Sequence, residues 1–382
     1  MSQFTKRSIA PYRVDIVGSF LRPQELKKAR EAFRKGEIGQ DALRDVEDRL
    51  IEELIQKEVK AGLQSVTDGE FRRSWWHLDF FWGLNGVKKV VNDNIKRHFK
   101  GIETRPETAV VVDRVSGENH PFVEHFKFLR AHTPEGIEAR QSIPAPAQFL
   151  YNNLANENIL RETKKVYDCL EDLSDDLAKA YGQVFHDLQE AGARTIQLDD
   201  VSWAGLVGEV DETLSEEEKK AVLQQREEWK KLFLRANNDA IAHAPEGLNI
   251  TTHVCRGNYR SHWYTSGSYE AVAHPLFDQE NVAAYYLEYD SDRAGGFEPL
   301  AKVPKEKLVV LGLVTSKSPE LEDPKELIAR IHEAGTYVDL DRLAISPQCG
   351  FASTEEGNEL TEEDQWKKIA LLQEVAKEVW GC

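Results

Sequence analysis

Four side chains suited to a borderline metal, His253, Cys255, Glu288 and Cys349, stand at or just beyond the ends of short apolar runs. His253 and Cys255 lie two residues apart in Asn249-Ile-Thr-Thr-His-Val-Cys-Arg-Gly257, which reads as a strand entering a glycine turn. Strand side chains repeat with period two, so both face the same side. An imidazole and a thiol side by side at a strand end make half of a zinc site. Glu288 ends the next run and Cys349 is followed by Gly350, so the set offers N, S, S and O donors of the kind Zn²⁺ takes. A buried cysteine taken alone is ordinary core material. Several donors at one predicted rim favour the metal. Cys169 and Cys382 have no such company and read as a helix stripe and a chain terminus.

Other runs end in polar groups: Val17-Gly18-Ser19, Thr67-Asp68-Gly69-Glu70 and Leu198-Asp199-Asp200. Their carboxylates could cap helices or satisfy loop amides. Placed on opposite strands, Glu70, Asp199 and Asp200 could instead hold a cation such as an α-ammonium group. Asp199 directly ends an apolar run and is the stronger candidate, with Asp200 as its supporting neighbour. Arg72 and Arg73 could meet a substrate carboxylate or pair with nearby acids; the sequence leaves both open.

These residues need a frame. Eight short β-branched runs recur, at 15–19, 65–70, 137–143, 195–200, 248–255, 283–288, 308–313 and 342–346. Apolar stripes at helical spacing lie between them, such as Leu43, Val46, Leu50, Leu54 and Val59, then Val166, Leu170, Leu173, Leu177, Tyr181, Val184 and Leu188, and last Trp366, Ile369, Leu372, Val375 and Val379. Pro23 suits a first helical position, while Ser215 to Glu218 and Thr361 to Asp364 read as capping boxes. Eight strand–helix alternations predict a (β/α)8 TIM barrel, an α/β fold, as one domain over 1–382. A doubly wound sheet is the competing arrangement, and no Gly-x-Gly-x-x-Gly turn follows the first run to support it. Residues 83–121 carry few helical signals and predict a long loop or hairpin after the second strand, over the barrel mouth. Barrel chemistry sits at the C-terminal strand ends, where the polar residues above fall.

A net charge of −17 and a pI near 5.2 argue against nucleic acid or an anionic membrane surface as partner. The basic stretch from Lys88 and Lys89 to Lys96, Arg97 and Lys100 reads as a solvated hairpin edge, or as a cradle for an anionic substrate tail. No apolar run reaches bilayer length, the N-terminus has no secretory h-region, and four cysteines without a CxxC pair give no disulfide framework. The expectation is a cytoplasmic protein acting on small molecules.

The same residues, in the same order, carry a family resemblance. The sequence resembles the C-terminal catalytic barrel of cobalamin-independent methionine synthase, and more closely its short single-barrel relatives, over nearly its whole length. Val17-Gly18-Ser19, Gly69-Glu70, Ile196-Gln-Leu-Asp-Asp200, His253 with Cys255, Glu288, and Pro347-Gln-Cys-Gly350 correspond to the family's motifs. The resemblance implies a methyltransferase in which His253, Cys255, Glu288 and Cys349 hold zinc. It further implies that Ser19, Glu70 and Asp199 hold homocysteine, which becomes methionine, with methyltetrahydrofolate as the default methyl donor. Two departures stand out. The stretch 143–148 has no aromatic to stack a pterin, and Lys317 stands where the long enzymes place a proton-handling His. Another thiol, or a non-folate donor, is the alternative.

Overall fold

The computed structural model describes residues 4–92, 98–208 and 210–381. Lys96, Arg97 and Cys382 of the sequence analysis lie outside them. In chain order the strands are β1 (Ser65–Val66), β2 (Asn85–Val91), β3 (His98–Phe99), β4 (Ile102–Glu103), β5 (Glu107–Ser116), β6 (Glu138–Ala139), β7 (Gln141–Pro144), β8 (Thr195–Asp200), β9 (Asn249–Val254), β10 (Ala284–Glu288), β11 (Leu308–Val314) and β12 (Leu343–Pro347). Six of them form a parallel sheet in the order β12-β11-β10-β9-β8-β7, and β1 pairs with β6 in parallel. The chain at Val14 bridges Ile345 of β12 in parallel, wrapping the wall back towards its start. The result is the predicted α/β barrel.

The first predicted strand, 15–19, forms no strand; the one bridge lies just before it at Val14, Asp15 N donates to Ile345 O at 3.0 Å, and the rest of the segment is held by irregular bonds. Asp15 Oδ1 accepts from Ile16 N at 2.8 Å and from Ser65 Oγ at 3.0 Å. Thr67 Oγ1 donates to Gly18 O at 2.6 Å, and Phe20 N to Gly69 O at 3.1 Å. The third predicted strand is split at Arg140, whose guanidinium turns into the barrel. There it meets Asp15 at 3.1 Å, Gln197 at 2.5 Å and the Tyr286 hydroxyl at 3.2 Å. Tyr286 in turn donates to Asp15 at 2.9 Å. Removing one partner of a buried pair strands the other charge, at a cost of about 3–5 kcal/mol. Arg140→Met is therefore expected to lower the denaturant midpoint sharply, and adding Asp15→Asn should recover part of the loss. An unshifted midpoint would show that the pair contributes nothing.

The helix stripes fall on Gln40–Lys60, Leu170–Glu190 and Glu362–Trp380. The second starts a turn later than its stripe, with Cys169 exposed at the N-cap and Val166 outside. Both capping boxes form, at Ser215 with Glu218 and Thr361 with Asp364. Pro23 is the N-cap rather than the first helical residue. The expected insertion is an antiparallel hairpin, β2 with β5. Lys88 and Lys89 are exposed on its edge, where Lys89 lies 4.3 Å from the Trp82 ring and pairs with Glu107. No helix among the described residues is long and apolar enough to cross a membrane.

Candidate metal centre and active-site cavity

Strand register brings the donors together. β9 lies between β8 and β10, with Asp199 opposite His253 on one side and Tyr286 opposite His253 on the other. On the next side of the sheet, β11 and β12 slip register between Gly312 and Val314, and Gln348 N donates to Val314 O at 2.8 Å. A Cβ at Gly312 would lie 2.7 Å from Gln348 Cα, so only glycine permits this crossing before Cys349. Ligand atoms of His253, Cys255 and Cys349 all fall within 4.8 Å of one another, and all three residues are buried.

Their protonation is interlocked. His253 Nδ1 lies 3.4 Å from Asp199 Oδ1, and Nε2 lies 3.1 Å from Gln348 O. Burial is the largest influence and lowers the imidazole. The Asp199 hydrogen bond and the charges of Cys349 and Asp199 outweigh it, leaving His253 at about 9. The Cys255–Cys349 hydrogen bond, the largest influence on each, raises Cys255 and lowers Cys349, so the pair keeps one proton on Cys255. The cluster thus favours the thiolate at Cys349 over that at Cys255. Metal ligation asks for further deprotonation here, so affinity will rise with pH. One imidazole and two sulfurs, buried and converging, fit zinc.

Glu288, the fourth expected ligand, is fully buried but outside that group. Its Oε2 accepts from Arg256 N at 2.9 Å, while Oε1 lies 3.4 Å from Arg293 and 4.0 Å from Lys317.

Ser19, Glu70, Asp199, His253, Cys255 and Cys349 share the lining of one cavity of about 310 Å³. Ser19 is pinned by close packing: a Cβ at Gly350 would stand 1.9 Å from Ser19 Oγ, and Phe351 N donates to Ser19 O at 2.9 Å. Glu70 adopts a left-handed backbone, φ 60°, next to Gly69 at φ 61°. Such strain in a non-glycine residue gathers at functional sites. Its Oε1 accepts from Ser142 at 3.2 Å and lies 3.4 Å from Arg73, while Oε2 has no hydrogen-bond partner. Burial pushes Glu70 up to about 7, against the pull of Arg73 and Arg22.

The open choice for the arginines resolves towards acids. Arg72 pairs with Glu47 and Asp48, and Arg73 with Glu70. Asp200 points away from the cavity, bonding Ser202 and Asn237 (2.9 Å) on the opposite face of β8. The sequence reading missed the walls. Trp75, Trp76, Phe99, Tyr151, Tyr259 and Tyr264 line the cavity, supplied by the loop after β1, strand β3 of the small β3–β4 pair, the helix Pro146–Leu154 and the loop after β9. The Trp75-Trp76-His77 run was the available signal. Among the described lining residues the carboxylates are Glu70, Glu107 and Asp199, and none is Lys or Arg.

The chain has counterparts among known proteins. The family described as "Cobalamin-independent synthase, Catalytic domain" matches residues 14–377. YxjH of Bacillus subtilis, an uncharacterized protein, is 41% identical over 378 residues, 98% of this chain and 96% of that one. A methionine synthase of Saccharolobus solfataricus is 23% identical over 341 residues, 88% of this chain and 87% of that protein. The crystal structure of a Listeria monocytogenes protein, described as a candidate vitamin-B12-independent methionine synthase, superposes with a TM-score of 0.75. It is 33% identical and covers 98% of this chain and 99% of that one. With the profile spanning the whole barrel, this chain belongs to the cobalamin-independent methionine synthase family.

Proposed function

We propose that the chain, working as one barrel domain in a reducing cytoplasm, is a zinc-dependent methyltransferase. It moves a methyl group to the thiol of homocysteine and forms methionine. The observation that carries this reading is the convergence of His253, Cys255 and Cys349 within 4.8 Å on the floor that also holds Glu70 and Asp199. Zinc held there would acidify the substrate thiol, which at an ordinary pKa near 8.5 is mostly unreactive at neutral pH. Glu288 is the candidate fourth ligand. Glu70 Oε2, buried without a hydrogen-bond partner and 4.0 Å from Arg22, would receive the ammonium group beside Ser19 and Asp199. Asp199 has a second task, orienting His253 through Nδ1. The aromatic walls would exclude water and set a flat or lipophilic donor behind the sulfur, so that alignment supplies much of the rate.

Methyltetrahydrofolate is the default donor on family grounds. A second reading, another thiol or a non-folate donor, is favoured by the lining: its described residues include no Lys or Arg that would hold a polyanionic tail. The test is methionine formation by zinc-loaded protein from homocysteine, with methyltetrahydrofolate, its polyglutamates, methylcobalamin and a sulfonium donor offered in turn. Turnover with folate forms alone supports the default. Turnover with another donor moves the assignment, and zinc-bound protein that alkylates no thiol with any donor ends the methyltransferase reading.

A further inference from the structure

Behind the cavity, on the outer face of β8, three fully buried side chains meet: Asp200, Asn237 and Glu280. Asn237 Nδ2 donates to Asp200 Oδ2 at 2.9 Å and to Glu280 Oε1 at 2.7 Å, while its Oδ1 accepts from Ala147 N at 2.9 Å. A backbone N–H on one side and two carboxyl oxygens on the other fix which way the amide faces. Asp200 also accepts from Ser202 N at 2.8 Å and Ser202 Oγ at 2.5 Å, whereas Glu280 Oε2 has no hydrogen-bond partner. With more donors on Asp200, the proton belongs on Glu280; burial foremost, then the Asp200 charge, pushes Glu280 up to about 8. Lys307, the cation facing it from the residue before β11, spends its ammonium on the Phe277 and Glu280 carbonyls.

Each contact of the amide bears on the cavity. Ala147 lies in the first turn of helix Pro146–Leu154, which carries Gln148 and Tyr151 into the lining. Asp200 follows Asp199, and neighbours on a strand face opposite sides, so holding Asp200 outward holds Asp199 inward. Ala145 N donates to Asp199 O at 2.8 Å and Val201 N to Gln148 Oε1 at 3.1 Å, which ties the strand end to the helix start. We propose that Asn237 is a positioning residue that seats the start of helix Pro146–Leu154 against the end of β8, and so sets where Asp199 and Tyr151 stand in the cavity. Glu280, kept neutral, leaves Asp200 as the one anion on the shared amide. The kinetic consequence rests on the methyltransferase reading above; the seating itself does not.

Hydrogen exchange and steady-state kinetics of the zinc-loaded protein test this together. Asn237→Asp sets a third carboxyl group against two and removes both donors. Exchange within residues 146–154 is expected to rise about tenfold or more, with helix Glu362–Trp380 unchanged. The homocysteine kcat/KM should fall by up to about a hundredfold, as displaced reacting groups cause. Adding Glu280→Gln returns an amide donor from the opposite side and should recover part of both losses. Should Asn237→Asp fail to fold, Asn237→Ser, which loses reach without adding charge, takes its place. Glu280→Gln alone should keep the activity at neutral pH and lose less stability than wild type as pH rises from about 4.5 to about 8. In that window the unfolded chain has released the Glu280 proton and the folded chain still holds it. Unchanged exchange in 146–154 overturns the proposal, as does a uniform rise that includes the last helix, or a local rise with kcat/KM intact. Wild type that alkylates no thiol would instead end the methyltransferase reading, and the exchange comparison would still decide the seating.

Discussion

Cys349→Ser is expected to leave the barrel folded and to abolish both zinc retention and thiol methylation. Serine keeps the volume but removes the one sulfur that is already driven towards thiolate, through the Cys255 hydrogen bond foremost. A hydroxyl does not ionise to replace it, and the donors that remain, an imidazole, one thiol and the candidate carboxylate, no longer close the tetrahedron. Dialysed wild type should carry about one zinc per chain and the variant less than about a tenth of that. Turnover should fall by roughly a thousandfold or more, since the unactivated thiol is the weaker nucleophile. Elemental analysis and a homocysteine-dependent methionine assay measure the two. A variant with full metal and full activity would remove Cys349 from the chemistry.

Glu70→Gln should separate recognition from metal binding. The expected loss is in kcat/KM for homocysteine, about 10- to 150-fold for a charge-assisted hydrogen bond of ~1.5–3 kcal/mol, with zinc content unchanged. A thiol of the same length lacking the amino group should lose little, so the preference between the two thiols collapses. The pH dependence carries the same information. Wild-type Glu70, held at about 7 by burial, is neutral below that pH and anionic above it. Only the anion attracts an ammonium group, so the homocysteine KM should rise as pH falls through about 7. The variant should lack that limb. A wild-type limb retained in Glu70→Gln would assign it to another group. Asp199→Asn is the poorer probe of recognition: with Asp199 Oδ1 3.4 Å from His253 Nδ1, it should weaken metal affinity as well as substrate binding.

That dual role of Asp199 marks a limit of reading the chain in order. Period-two spacing placed His253 and Cys255 on one face, and the end of each run located Glu70, Asp199 and Cys349 on the same rim. Cross-strand register is a different kind of information, because it depends on how two separate strands slide, and it alone puts Asp199 opposite His253. The partners of Glu288 were hidden for a related reason. Arg293 comes from a single 3₁₀ turn, Asp292–Ala294, after β10 and Lys317 from the loop after β11, both too short for any periodicity to announce which way a side chain turns. The first strand of the sequence reading does not form, because its apolar residues pack as a strand would while Asp15 turns its hydrogen bonds to Ile16 N, Ser65 and Tyr286. The aromatic walls come from loops, β3 and a helix, and their closing over one cavity is a tertiary fact.

The contact between Ser19 and Gly350 reaches beyond stability. Two segments more than three hundred residues apart in the sequence are shaped to each other with no space for a methyl group. In chimeras assembled from related barrels, the opening and closing portions must therefore be inherited together. A recombinant that takes one from each parent inherits a mismatch directly beneath its own reaction chamber.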